Sequence, residues 1–353
     1  MASTLSKTLG LIETIPLTEQ ACDGGSINTK LINTKLINMD HSTKITEGCI
    51  GRFVGQPYDM GWGRLYGGHL LSQACDSAWK TVEGNKLLHS LQGYFLRVGS
   101  VRFPIEYVVY NLREGKSISH RRVEVFQNGH LLFHLTASFA PSLIPKGLSH
   151  QMVQPASLPP EMCRTEQEMM LEYWNQLSEE EKSRAPKTLY RRIFEPQPFD
   201  IRPIYPENFL SPNKNTPLRE MWIRANQDAV GSQEENEIVQ ENIKQGKIDT
   251  KQSLPNVLDS MQKHILLALY ASDFPLLGTA LQQHGRSVLT SKIRIASLDH
   301  NFWIHRPFQI DDWLLFRIES PISANGRALV QGSFFTKDGH QVATCVQEGW
   351  IKV

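Results

Sequence analysis

The hydrophobic and polar positions fall into two similar runs. "SISHRRVEVF" and "HLLFHLTASF" flank Asn128-Gly129, and both arms are rich in β-branched and aromatic residues. Asn-Gly is favoured in a type I′ turn because both central positions need positive φ, so the pattern predicts a β-hairpin. "RALVQGSFFT", Asp338-Gly339 and "HQVATCVQEGW" repeat this form 210 residues later, counted from Gly129 to Gly339. Upstream, "HSLQGYFLRVGSVRFPIEYVVYNL" parallels "ASLDHNFWIHRPFQIDDWLLFRIES", with Ser90-Leu91 set against Ser297-Leu298. Each run is preceded by a helical segment with little polar surface: "YGGHLLSQACDSAWKTV" in the first, "HILLALYASDFPLL" in the second.

Matched helices, strands and turns at near-constant offset favour an internal duplication. A helix that is apolar nearly all round must be buried on every side, and several antiparallel strands could wrap it. The expected class is therefore α+β, with two antiparallel sheets, each around one central helix, in tandem on one chain. Residues 1–38 read as an N-terminal extension holding the micro-repeat "LINTKLINTKLIN", and 39–145 as the first domain. Residues 146–218 read as a connection: the stretch from 141 to 218 holds twelve of the nineteen prolines, and "EQEMMLEYWNQLSEEEK" within it predicts a surface helix. Residues 219–353 read as the second domain, with a polar, exposed or disordered insertion at about 226–260.

Composition narrows the function classes. With 37 basic and 36 acidic residues there is no electrostatic footprint for nucleic acid or an anionic membrane. No apolar run reaches the roughly 20 residues needed to span a bilayer. The five cysteines are scattered and form no CxxC, which suits a reducing compartment and argues against a zinc or redox site. The N-terminus lacks the charge pattern of a signal or transit peptide.

The candidate chemistry centres on "IASLDHNFWIHRPF", residues 295–308, where a serine, an aspartate and two histidines crowd together. No G-x-S-x-G elbow is present to expose a nucleophilic serine. Ile293, Ile295 and Ser297 alternate with Lys292 and Arg294, which predicts a half-buried strand. Continued alternation puts Asp299 on the face of Ser297 and His300 on the opposite face, so the local trio cannot close into a triad. His300 and His305 then read as packing or rim residues. Asp273 follows the apolar run Ile265–Ala271 and precedes Phe274-Pro275; a desolvated general base and a helix cap are both open readings there. Gln347, in "TCVQEGW", has an amide that could hold a water or a carbonyl. Gly67-Gly68 reads as close packing at a helix start.

"GRLYGGHLLSQAC", "LHSLQGYFLRVGS", "FQNGHLLFHLTASF", "YASDFPLLGTAL", "ASLDHNFWIHRPF" and "DGHQVATCVQEG" together resemble the type II acyl-CoA thioesterases, the double hot-dog family. The resemblance runs from about residue 39 to the end. It implies a sheet wrapped around a central helix, and hydrolysis of fatty acyl-CoA to free acid and coenzyme A. By motif it carries the family's carboxylate to Asp273, its hydroxyl to Ser297 and its glutamine to Gln347, a set that orients and activates water. It implies one site in the second half, since Ala137 stands where the first half would need a glutamine. His69 replaces a glutamine common in the family and could touch substrate. No cofactor or metal is expected, the partner is acyl-CoA, and related hot-dog proteins form homo-oligomers. The C-terminus Trp350-Ile351-Lys352-Val353 lacks a Ser-Lys-Leu signal, which favours the cytosol over the peroxisomal matrix.

Two alternatives remain. A hot-dog enoyl-CoA hydratase would need a histidine five residues after the aspartate, where the chain has Gly278. A non-catalytic acyl-CoA binder would have no reason to keep Asp273, Ser297 and Gln347 together.

Overall fold

The computed structural model describes residues 12–16, 48–141, 147–205, 217–226, 254–288 and 293–352. The micro-repeat at 27–38 and most of the polar insertion lie outside the described residues. The first part holds β1 (Ile15–Pro16), β2 (Cys49–Gly55), α1 (Gly67–Trp79), β3 (Lys86–Phe95), β4 (Ile105–Arg113), β5 (Ser119–Gln127) and β6 (His130–Pro141). Helices α2 (Glu166–Gln176), α3 (Glu179–Arg184) and α4 (Lys187–Phe194) follow, then β7 (Phe199–Pro203) and β8 (Leu218–Ala225). The last part holds α5 (Leu254–Ser272), α6 (Leu276–Gln282), β9 (Arg294–Ser297), β10 (Asp299–Ile304), β11 (Leu314–Ala324), β12 (Arg327–Thr336) and β13 (Gln341–Lys352).

The strands form one antiparallel sheet in the order β1-β2-β4-β5-β6-β3-β10-β13-β12-β11-β8-β7, with β9 paired to β13. This corrects the expectation of two sheets. The sheets merge because β3 and β10 pair, with Leu91 opposite Phe302 and Ser90 opposite Trp303. On either side of that seam the order is the same: β3-β6-β5-β4-β2 one way, β10-β13-β12-β11-β8 the other.

Turn chemistry explains the hairpins. Asn128 and Gly129 both have positive φ, at 50° and 74°, as the Asn-Gly pair predicted. The second pair of this kind is Asn325-Gly326, φ 53° and 72°, between β11 and β12, which the sequence reading passed over. At Asp338-Gly339 only the glycine is left-handed, and Thr336 closes a wider loop through its amide to the His340 carbonyl at 2.9 Å.

Helix α1 is buried from Gly68 through Ala78, as its apolar composition demanded. Its serines stay satisfied by donating back along the helix, Ser72 to the Gly68 carbonyl and Ser77 to that of Gln73. The helix expected over "EQEMMLEYWNQLSEEEK" is split into α2 and α3. Ser178 starts the second piece with a capping box, its hydroxyl on the Glu181 amide and the Glu181 carboxylate on its own amide. Helices α2 and α4 share a small core of Met170, Leu189 and Ile193.

Residues 254–260, assigned to the polar insertion, are the first turns of α5 instead. The stretch Ser260–Gln282 passes for a membrane span by length and composition alone, but it is a core element buried inside the fold. It is broken at 273–275, between α5 and α6. Pro275 has no N–H to offer the preceding turn and disfavours helical backbone at Phe274, so the chain must turn there.

Candidate active site

That break presents Asp273. Its side chain does not cap the next helix; α6 is preceded by Pro275 with no side-chain cap. Asp273 Oδ2 instead accepts the amide of Gly68 at 3.0 Å, in the first turn of α1. The carboxylate of one half thus sits at the positive end of the helix of the other, where unpaired amides favour negative charge. The approach depends on the Gly67-Gly68 pair. A Cβ on Gly67 would lie 2.6 Å from Asp273 Oδ2, and one on Gly68 would lie 2.3 Å from the Tyr270 carbonyl oxygen. Tyr66 completes the contact by donating its hydroxyl to that carbonyl at 2.6 Å. Burial, with the Asp273 charge adding, pushes the Tyr66 phenol well up, so it remains a donor.

Ser297 ends β9, and its hydroxyl donates to Asp273 Oδ1 at 3.4 Å. The serine and the aspartate expected to meet do so. The expected placement of His300 on the opposite face is wrong. Ser297 pairs with Gly349, but Asn301 pairs with Val346, so four steps on one strand match three on the other. This is a β-bulge at Leu298–His300, and one extra residue reverses the alternation beyond it. His300 therefore faces the same side as Ser297. Asp299 turns away and accepts the Glu348 amide at 2.7 Å, beside the bond from the Leu298 amide to the Glu348 carbonyl.

Gln347 is fully buried on β13 and donates from Nε2 to Asp273 Oδ1 at 2.6 Å. The same nitrogen lies 3.3 Å from His300 Nδ1, and His300 Nδ1 lies 3.9 Å from Asp273 Oδ1. On its far side His300 Nε2 lies 3.0 Å from the Ser272 hydroxyl. Burial holds the His300 pKa down to about 4 against the upward pull of Asp273, so the ring is neutral near pH 7. Asp273, Ser297 and Gln347 are thus brought together at one carboxylate, and His300 and the Gly68 amide join them. The sequence reading of Gly67-Gly68 as close packing at a helix start holds, but it places neither the Gly68 amide nor His300 at the carboxylate. The acidic Asp299 inside an apolar strand was the available signal, since a bulge leaves an amide for such a side chain to take.

His69 and His305 stand apart. His69 is fully buried with Nε2 2.8 Å from the Gln56 carbonyl oxygen. His305 is exposed beside the Thr344 hydroxyl. No group of three or more His, Cys, Asp or Glu suited to a metal occurs among the described residues.

A cavity of about 610 Å³ lies alongside the site rather than at the trio itself. Its walls include Tyr66, Arg192, Phe199, Tyr270 and Phe274, drawn from both halves and from the segment between them. Arg192 is buried against Glu166 and places its guanidinium 3.7 Å from the centre of the Phe274 ring, next to Asp273. The connecting segment, expected to hold one surface helix, therefore helps to build this wall.

Two family models match the chain: acyl-CoA thioesterase over residues 233–350, and acyl-CoA thioesterase N-terminal domain over residues 56–140. The chain is similar to acyl-CoA thioesterase 2 of Haemophilus influenzae, 31% identical over 317 residues, covering 90% of this chain and 98% of the relative. It is similar to acyl-coenzyme A thioesterase 8 of Homo sapiens, 32% identical over 302 residues, covering 85% and 84%. A solved acyl-CoA thioesterase II from Mycobacterium marinum matches with a TM-score of 0.58 at 28% identity, over 85% of this chain and 93% of that one. A hot-dog protein from Alicyclobacillus acidocaldarius, 15% identical, shares the fold with a TM-score of 0.56 over 88% of this chain and 95% of its own. On the strength of these matches along most of its length, the chain belongs to the acyl-CoA thioesterase family.

Proposed function

We propose that the chain hydrolyses fatty acyl-CoA thioesters to free acid and coenzyme A, with water activated by Asp273 and held by Ser297 and Gln347. The observation that carries this reading is the convergence of Ser297 and Gln347 on one oxygen of Asp273, at 3.4 and 2.6 Å. A thioester carbonyl is electrophilic enough for a positioned water to attack directly. The water oxygen bonds to the carbonyl carbon while Asp273 takes a proton. The positive end of α1, whose Gly68 amide holds Asp273, also favours the negative charge that develops on the carbonyl oxygen. Collapse of the adduct breaks the C–S bond, and the departing coenzyme A thiolate receives the proton. This chemistry uses no cofactor or metal. The adjacent cavity, with Tyr66, Phe199, Tyr270 and Phe274 on its walls, is suited to an apolar acyl chain.

The architecture belongs to the same reading: two tandem hot-dog units at 39–145 and 219–353, joined by 146–218 and supplying one site between them. Homo-oligomerisation is part of it, and light scattering on the purified chain checks that element. The decisive experiment is thiol release across acyl-CoA chain lengths, with Asp273→Asn alongside. Loss of a positioned general base should cost roughly 10²- to 10⁴-fold in turnover with the fold intact by circular dichroism. Near wild-type hydrolysis by the folded variant sinks the assignment, and product formation without free thiol points to hydration instead.

A further inference from the structure

We propose that His300 is a positioning residue that fixes the orientation of the Gln347 amide, turning its NH₂ toward Asp273 and leaving its carbonyl oxygen to hold the attacking water. The proposal rests on the hydrolytic reading above. The Ser272 hydroxyl donates its one hydrogen to the Leu269 carbonyl at 2.9 Å. At 3.0 Å from His300 Nε2 it can then only accept, so the ring carries its hydrogen on Nε2. The lone pair is left on Nδ1, facing Gln347 Nε2 at 3.3 Å. Both hydrogens of the Gln347 amide are thereby engaged, one by His300 Nδ1 and one by Asp273 Oδ1.

The reversed amide would set Gln347 Oε1 against a carboxylate oxygen and an imidazole lone pair together, which is repulsive twice over. His300 is fully buried, and burial keeps it in the neutral form that this arrangement requires. Gln347 Oε1 is itself buried and has no protein partner among the described residues. A buried acceptor needs a donor. A water giving one hydrogen to Gln347 Oε1 and the other to Asp273 keeps a lone pair for the thioester carbon. Ser272, His300 and Gln347 then form a chain of fixed hydrogen positions, beginning at the end of α5 and ending at the reacting water.

A packing histidine would behave differently, and the test separates the two. In the wild-type protein, ¹⁵N spectra of labelled histidine at pH 7 should show His300 with Nε2 protonated and Nδ1 bare, with His300→Asn providing the assignment. His300→Leu should lower kcat roughly 100-fold, the cost of a small misplacement, with KM changed by less than about threefold. His300→Asn, whose side-chain oxygen can stand near the Nδ1 position, should recover to within about tenfold of wild type, as the retained acceptor requires. Protonated Nδ1 in the wild type overturns the proposal, and this readout needs no variant to fold. Wild-type turnover by His300→Leu beside an inactive Asp273→Asn overturns it alone; full activity in both overturns the assignment of Asp273 as the base with it.

Discussion

The amide of Gly68 meets the carboxylate of Asp273 at 3.0 Å, although 205 residues separate them in the chain. The neighbouring glycine has a different task, and the two should fail differently. Gly68→Ala drives a methyl against the Tyr270 backbone carbonyl and should cost about 1–3 kcal/mol in stability, measured by urea unfolding. Gly67→Ala presses on the Asp273 carboxylate instead and should reduce turnover more than stability. Wild-type turnover in Gly67→Ala would contradict the close approach of that carboxylate.

Ser297 hydrogen-bonds to the carboxylate, and in the proposed mechanism it holds water rather than acting as a nucleophile. Ser297→Ala should lose roughly 10- to 100-fold in turnover, the scale of a lost hydrogen bond to a charged group. Intact-mass spectrometry of the wild type during turnover should show no acyl adduct. An adduct mapped to Ser297 would make it the nucleophile and remove the water from the first step.

At the bulge that turns His300 inward, the Asp299 carboxylate accepts the Glu348 amide. Burial raises the Asp299 pKa, so its charged form is held at some cost. Asp299→Ala leaves that amide without its acceptor and should cost about 1–3 kcal/mol in stability, with turnover falling as Ser297 and His300 lose their common face. Asp299→Asn keeps an acceptor without the charge and should stay close to wild type in both. An unchanged melting temperature in Asp299→Ala would remove Asp299 from this role.

Acid should weaken the fold before most carboxylates titrate. Burial holds His69, His264 and His300 down to about 4, from an ordinary value of 6.5. The unfolded chain therefore takes up protons below about pH 6.5 that the folded chain refuses until about 4, and stability falls as pH drops through that interval. Melting temperatures measured between pH 7 and 5.5 should decline steadily. A flat profile would contradict three buried neutral rings.

What the sequence disclosed depended on the range of the interaction. Asn128-Gly129 announced its hairpin because the turn is decided by two adjacent residues. Asp273, Ser297 and Gln347 were found through motifs, since no local rule ties residues so far apart. His300 was assigned to the wrong face by a sound rule, because period-two alternation cannot register a bulge. The pairing of β3 with β10 was out of reach for another reason: each strand alone looks like any half-buried strand, and nothing local names its neighbour. The break at Asp273 was foreshadowed by Pro275, yet its partner at Gly68 was not.

The seam between β3 and β10 bears on how such a chain can exist at all. Severed between β6 and β8, the two pieces would each carry a naked strand edge where they now meet, an invitation to pair with whatever strand is nearest. One piece would keep the helix start and the other the carboxylate. The covalent tether answers both problems by fixing stoichiometry: every Asp273 is made with its own Gly68, and every β10 with its own β3.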